Sequence, residues 1–68
     1  MTTLAHWLHS ARDRFEQAGI IDGIVDAELL AAHVLDISRG QVQADAIVGR
    51  DLNASELETL NRLVDRRA

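Results

Sequence analysis

The sequence predicts an all-α fold, a small bundle of four to five helices with the second at its centre. Three observations carry the prediction. The chain has no proline, one Phe and one Trp among its 68 residues, yet is 47 % hydrophobic, so its core must be aliphatic. Apolar residues recur at helical spacing near both ends. Between them, in Val25-Asp26-Ala27-Glu28-Leu29-Leu30-Ala31-Ala32-His33-Val34-Leu35, apolar side chains point almost all the way round a helix at 100° per residue. A helix of that kind is expected to be surrounded by the rest of the chain.

The first helix is expected from about Thr3 to Ala18. Leu4, Trp7, Leu8, Ala11, Phe15 and Ala18 share one face, and His6, His9, Ser10, Asp13, Glu16 and Gln17 the other. Gly19 stands where a left-handed residue ends a helix, with Ile20 placed to touch Phe15. Asp22 is the expected N-cap of the second helix, about Gly23 to Asp36, with Asp26 and Glu28 near its positive end. Ser38 and Gln41 have the spacing of a capping box for a short third helix, about Arg39 to Ile47, with Ile37 stapled onto Val42 and Gly49 closing the region. The device recurs at Asn53 and Glu56, with Leu52 facing Leu57. Leu57, Leu60, Leu63 and Val64 then form a last apolar stripe, Glu58 and Arg62 an exposed pair, and Arg66 and Arg67 suit the negative helix end. No repeat, low-complexity tract or linker divides the chain, so residues 1–68 form one domain, which is expected to be monomeric.

Composition removes several functions. Without cysteine there is neither a disulfide framework nor a thiolate zinc site. No apolar run approaches the roughly 20 residues that span a bilayer, and Met1-Thr2-Thr3 does not open like a signal peptide, so no membrane role and a cytoplasmic location are expected. Eleven acidic against seven basic residues give a formal charge of −4, the wrong sign for gripping phosphate backbone, so nucleic acid is not an expected partner. All seven basic residues are Arg, which carries no functional signal by itself.

Single residues suggest chemistry that their surroundings do not sustain. His6, His9 and Asp13 sit at spacings of three and four on one face, close enough to share a cation such as zinc, but there is no fourth ligand and an exposed polar face explains them. His33, among Leu29, Leu30 and Val34, reads as a core histidine held neutral by hydrogen bonds. Asp26 lies two turns away, about 10 Å along the axis, and needs its own partner, an Arg or the helix's free N–H groups. Ser38 superficially resembles a phosphopantetheine-bearing serine, but Arg39-Gly40 follows it and capping accounts for it. Trp7 reads as core, with partner anchoring the lesser alternative. No catalytic, cofactor-binding or metal-ligating residue is assigned within the chain.

The run Asp26-Ala27-Glu28-Leu29-Leu30 followed by Ala32-His33-Val34-Leu35 resembles the D-A-E-L-L-L-A-H-V-L segment of the N-terminal domain of release-factor glutamine methyltransferases, the HemK/PrmC family. His6-Trp7-Leu8, Ala18-Gly19-Ile20, Leu52-Asn53-Ala54-Ser55-Glu56-Leu57 and Leu63-Val64-Asp65-Arg66-Arg67 look like further positions of the same domain. Gly23 departs from the proline, and Asp36 from the glycine, that many members carry there. The resemblance implies a helical substrate-recognition domain that docks peptide chain release factors. The parent enzyme would methylate the N5 of the glutamine in their Gly-Gly-Gln motif. It also implies that S-adenosylmethionine and the Asn-Pro-Pro-Tyr motif belong to a catalytic Rossmann-like domain beyond Ala68. This segment has neither proline nor tyrosine, so the 68 residues are expected to be non-catalytic alone. A free-standing helical interaction module without an enzymatic parent is the alternative.

Overall fold

The computed structural model describes residues 2–67. In chain order they form β1 (Thr2–Thr3), α1 (Leu4–Gln17), α2 (Gly23–Leu35), α3 (Arg39–Ile47), β2 (Asp51–Leu52) and α4 (Ala54–Arg67). The all-α expectation holds in outline, with four helices and one addition, a two-stranded ribbon.

The Thr3 hydroxyl caps α1 by accepting the His6 N–H at 3.2 Å. Leu4, Trp7, Leu8, Ala11 and Phe15 are buried along one face, as the periodicity requires. Ala18 lies past the last turn and is exposed. The helix ends as expected: the Ile20 N–H donates to the Phe15 carbonyl at 2.9 Å and the Gly19 N–H to Glu16 at 3.0 Å, with Gly19 at φ 88°.

The start of α2 departs from expectation. Asp22 precedes the helix with φ 58° and ψ 48°, a left-handed conformation, and its side chain caps nothing; only its carbonyl serves the helix, accepting from Val25. The turn is instead organised around Gly23. A Cβ there would lie 2.8 Å from the Arg12 carbonyl oxygen and 3.1 Å from the Phe15 Cβ, so α2 enters the fold pressed onto the backbone of α1. The helix stops at Leu35, one residue short of expectation, because Asp36 is left-handed too (φ 57°), and the Asp36 and Ile37 N–H groups converge on the Ala32 carbonyl. Asp tolerates that conformation better than most residues, though glycine adopts it without a Cβ penalty.

Ser38 caps α3, accepting the Gln41 N–H at 3.1 Å. The reciprocal half of the box does not form, since the Gln41 side chain donates forward to Asp45 at 2.7 Å. In α4 both halves are made: Glu56 N–H to Asn53 Oδ1 at 2.8 Å, and Asn53 N–H to Glu56 Oε1 at 3.0 Å. Between the two helices, β2 pairs antiparallel with β1, Thr2 opposite Leu52 and Thr3 opposite Asp51. The Leu4 N–H continues the pairing to the Arg50 carbonyl at 2.8 Å. The ribbon ties the start of α1 to the α3–α4 connection and seats Leu52 in the core. The largest fully buried side chains, Leu4, Phe15, Val42 and Leu60, come from α1, α3 and α4, and Ala27 and Ala31 of α2 are buried with them, so one core is shared by all four helices.

The second helix is not enclosed. It touches α1, α3 and α4, and buries Gly23, Ala27, Glu28 and Ala31. Its remaining face carries Leu29, 51 % exposed, and His33, also exposed. Three helices cover three sides of α2, and among the described residues the stripe Leu29, His33, Asp36 stays exposed. The expectation of a surrounded second helix and of a core His33 is corrected accordingly.

Gly23→Ala should therefore lower stability by about 1–3 kcal/mol through overpacking, reversing the gain of roughly 0.5–1 kcal/mol that Ala ordinarily brings to a helix. Urea or thermal melting followed by circular dichroism reads the sign, and a rise in midpoint would show that the close approach is dispensable.

Candidate docking surface

Polar anchors fix how α2, α3 and α4 sit. Glu28, only 8 % exposed, accepts from Arg39 Nε at 2.9 Å and from Gln43 Nε2 at 3.2 Å, tying the middle of α2 to α3. A carboxylate so placed survives burial because both donors meet one oxygen while the other stays near the surface. Asp26 finds its partner in Arg67, 3.3 Å away, which closes the end of α4 onto the start of α2. Trp7 is core, and its indole N–H donates to Asn61 at 3.0 Å, fixing the rotation of α4 against α1. Arg14 pairs with Asp65 farther along the same seam.

Arg50 is the hub at the opposite end, with Asp45 at 2.9 Å and Glu56 at 3.4 Å. The Gln41 side-chain N–H bonded to Asp45, with the Arg50 guanidinium beside it, holds the Asp45 carboxyl below the usual carboxylate range.

These anchors leave an open groove of about 470 Å³ along the α2–α4 seam, lined by His33, Val34, Ser55, Glu56, Thr59 and Leu63. It exists because the side chains of α4 facing His33 and Val34 are short: Ser55 and Thr59 stand one turn apart and do not fill the space. The Thr59 hydroxyl is turned back to the Ser55 carbonyl at 3.1 Å. Apolar Val34 and Leu63 and the carboxylate of Glu56 therefore meet in one concavity, with no arginine in its lining.

Among the residues singled out from sequence, His6, His9 and Asp13 lie exposed on α1, and Asp13 pairs with Arg12 at 3.0 Å. Among the described residues, no three His, Cys, Asp or Glu side chains are grouped to hold a metal ion. Ser38 performs its cap. Sequence reasoning missed the groove and the roles of Glu28 and Arg50, since each depends on partners 11 or more residues away or on a turn between helices. No helix among the described residues is long and apolar enough to cross a membrane.

The groove lies open between two helices, and the one carboxylate in its lining, Glu56, is already engaged in capping α4. Residues 6–68 match the family model described as the PrmC N-terminal domain. Over all 68 residues the chain is 32 % identical to the release factor glutamine methyltransferase of Caulobacter vibrioides, covering 100 % of this chain and 22 % of that protein. The chain thus spans about a fifth of the length of the curated relative it matches. No solved structure matches.

Two outcomes follow from the anchors. Arg39→Met should destabilise by about 2 kcal/mol or more, because it leaves the buried Glu28 carboxylate without its cation and with Gln43 as its remaining donor, while Glu28→Met should cost less than about 1 kcal/mol, because the half-exposed Arg39 returns to water. Paired urea titrations test this asymmetry, and equal losses would contradict it. With its pKa lowered on folding, Asp45 stabilises the fold above the ordinary carboxylate pKa of about 4, and that contribution disappears as acid protonates it. The gap in melting temperature between the natural chain and Asp45→Asn should be open near neutrality and close as acid takes the pH through the lowered pKa of Asp45. A gap that persists unchanged in acid would remove the Gln41–Asp45–Arg50 cluster from the account.

Proposed function

The chain belongs to the PrmC N-terminal domain family, and from that premise we propose that it is the release-factor-docking domain of a longer protein-glutamine N5-methyltransferase. The observation that carries the reading is the match of the entire chain to a protein described as a release factor glutamine methyltransferase. The parent would transfer a methyl group from S-adenosylmethionine to the glutamine of a Gly-Gly-Gln motif, in the cytoplasm, with this domain acting as a monomer.

S-adenosylmethionine does not fit the residues of this segment. A cofactor of that kind is cradled by a glycine-rich loop between a strand and a helix. Here Gly19 and Gly49 end helices at positive φ, Gly23 serves packing and Gly40 sits in the first turn of α3. The methyl donor therefore belongs to the portion of the parent beyond this domain, and no step is assigned to it here.

The contribution of the domain is binding energy. Chemistry requires a glutamine amide placed within ångströms of the methyl donor, and a loop of two glycines and one glutamine gives an enzyme little surface to hold. A folded module tethered beside the reaction centre can grip another part of the release factor. Once it does, the reacting loop is presented at an effective concentration set by the tether, with no contact to the reacting atoms.

Deleting residues 1–68 from the parent enzyme should depress kcat/KM on intact release factor, mainly through KM, and leave methylation of a short Gly-Gly-Gln peptide nearly unchanged. Steady-state kinetics on both substrates decides it. Equal losses on protein and peptide would mean that the bundle only stabilises the catalytic domain, and no loss on either would mean that it does not dock substrate.

A further inference from the structure

We propose that the α2–α4 groove is the face with which this domain holds its protein substrate, and that the segment it accepts is basic and carries an apolar side chain. This rests on the docking reading above and adds the place and the chemistry.

The place follows from packing. Among the described residues, Leu29, Ile21, Ile47 and Val48 are the large apolar ones left exposed. Ile21 lies in the turn before α2, and Ile47 and Val48 at the end of α3, where each stands next to a helix terminus and single exposed apolar residues are ordinary. Leu29 differs, because it shares its stripe with His33, and His33 and Val34 form one wall of the groove. The apolar face left bare on α2 therefore runs into the concavity. An apolar side chain seated between Val34 and Leu63 would be covered from both helices, the enclosure that makes an anchor residue count.

The chemistry follows from how the charges are distributed. Six of the seven arginines are held in ion pairs within the domain: Arg12, Arg14, Arg39, Arg50, Arg62 and Arg67. Four acids, Glu16, Asp22, Asp36 and Asp51, form no ion pair among the described residues. The net charge of −4 thus shows as acids without a partner, while most of the cations are already engaged. At the groove this bias is local: Glu56 lines it, its contact to Arg50 is long at 3.4 Å, and Asp36 closes α2 two residues after Val34. Such a surface attracts basic segments and repels acidic ones.

The test uses the 68-residue chain, labelled with ¹⁵N, and an intact bacterial peptide chain release factor as the probe. Amide shifts should change at His33, Val34, Ser55, Thr59 and Leu63, and binding should weaken as salt is raised. Thr59 is exposed on α4, so arginine and glutamate are both accommodated there without touching the core. Thr59→Arg should weaken binding about tenfold or more, while Thr59→Glu, of similar bulk but opposite charge, should weaken it far less; melting curves of both variants confirm that the fold is retained. Shifts confined to Ile21 or to Ile47 and Val48, with both variants silent, would overturn the groove and leave the docking reading standing. Equal losses from the two variants would overturn the basic occupant. An absence of binding anywhere on the chain would overturn both this inference and the docking reading on which it rests.

Discussion

The contact on which the rest of the structure depends is the approach of α2 to the backbone of α1 at Gly23. With 2.8 Å between a would-be Cβ and the Arg12 carbonyl oxygen, the two helices meet more closely than any residue with a side chain allows. That proximity brings Ala27 and Ala31 of α2 against the Leu4–Phe15 face of α1, and a domain of this size has little apolar surface to spare for a looser interface. Small residues on one helix and large ones on the other interdigitate at high density. The α1–α2 pair is thereby fixed, and α3, β2 and α4 are laid upon it.

What is laid upon it is positioned by charges as well as by packing. Glu28 with Arg39, Asp26 with Arg67, and Arg50 with Asp45 and Glu56 each join different segments of the chain. Of these pairs, the more exposed Asp26–Arg67 contributes little energy by itself, whereas the buried Glu28 carboxylate depends on its partner. Their consequence is geometric: they set the tilt and end points of α3 and α4, and so the width of the gap that α4 leaves beside α2. They also occupy three of the seven basic side chains, so the bridges that join the bundle leave its acidic excess on show. Structure and proposed partner chemistry are linked through that one distribution of charge.

The departures from the sequence reading share a cause. His33 and Leu29 stand in the most apolar helix, and periodicity counts apolar faces without counting the neighbours available to cover them. Among the described residues three other helices pack against α2, and they leave one of its faces exposed. Asp22 has a capping residue's identity, but it stands in the left-handed conformation beside the closely packed Gly23, and its side chain makes no bond to the helix N–H groups. Gln41 has the spacing of a capping box, yet Asp45, one turn on, is the partner it takes. In each case a local preference yields to a contact made elsewhere.

The sequence by itself determined the helices, the left-handed glycine ends at Gly19 and Gly49, the caps at Ser38 and Asn53 and the buried faces of α1 and α4, because these depend on residues within about one helical turn. It also carried the family resemblance, which is a pattern of helical positions read along the chain. The tertiary structure alone decided the β1–β2 ribbon, whose two-residue strands have no periodicity to read, and the partners of Glu28, Asp26 and Arg50. It alone decided the groove, which is a space between helices and is written in no single segment. Its shape comes from which side chains of α2 and α4 face each other, and that is set by the closeness of α2 to α1, a long-range consequence of one missing Cβ.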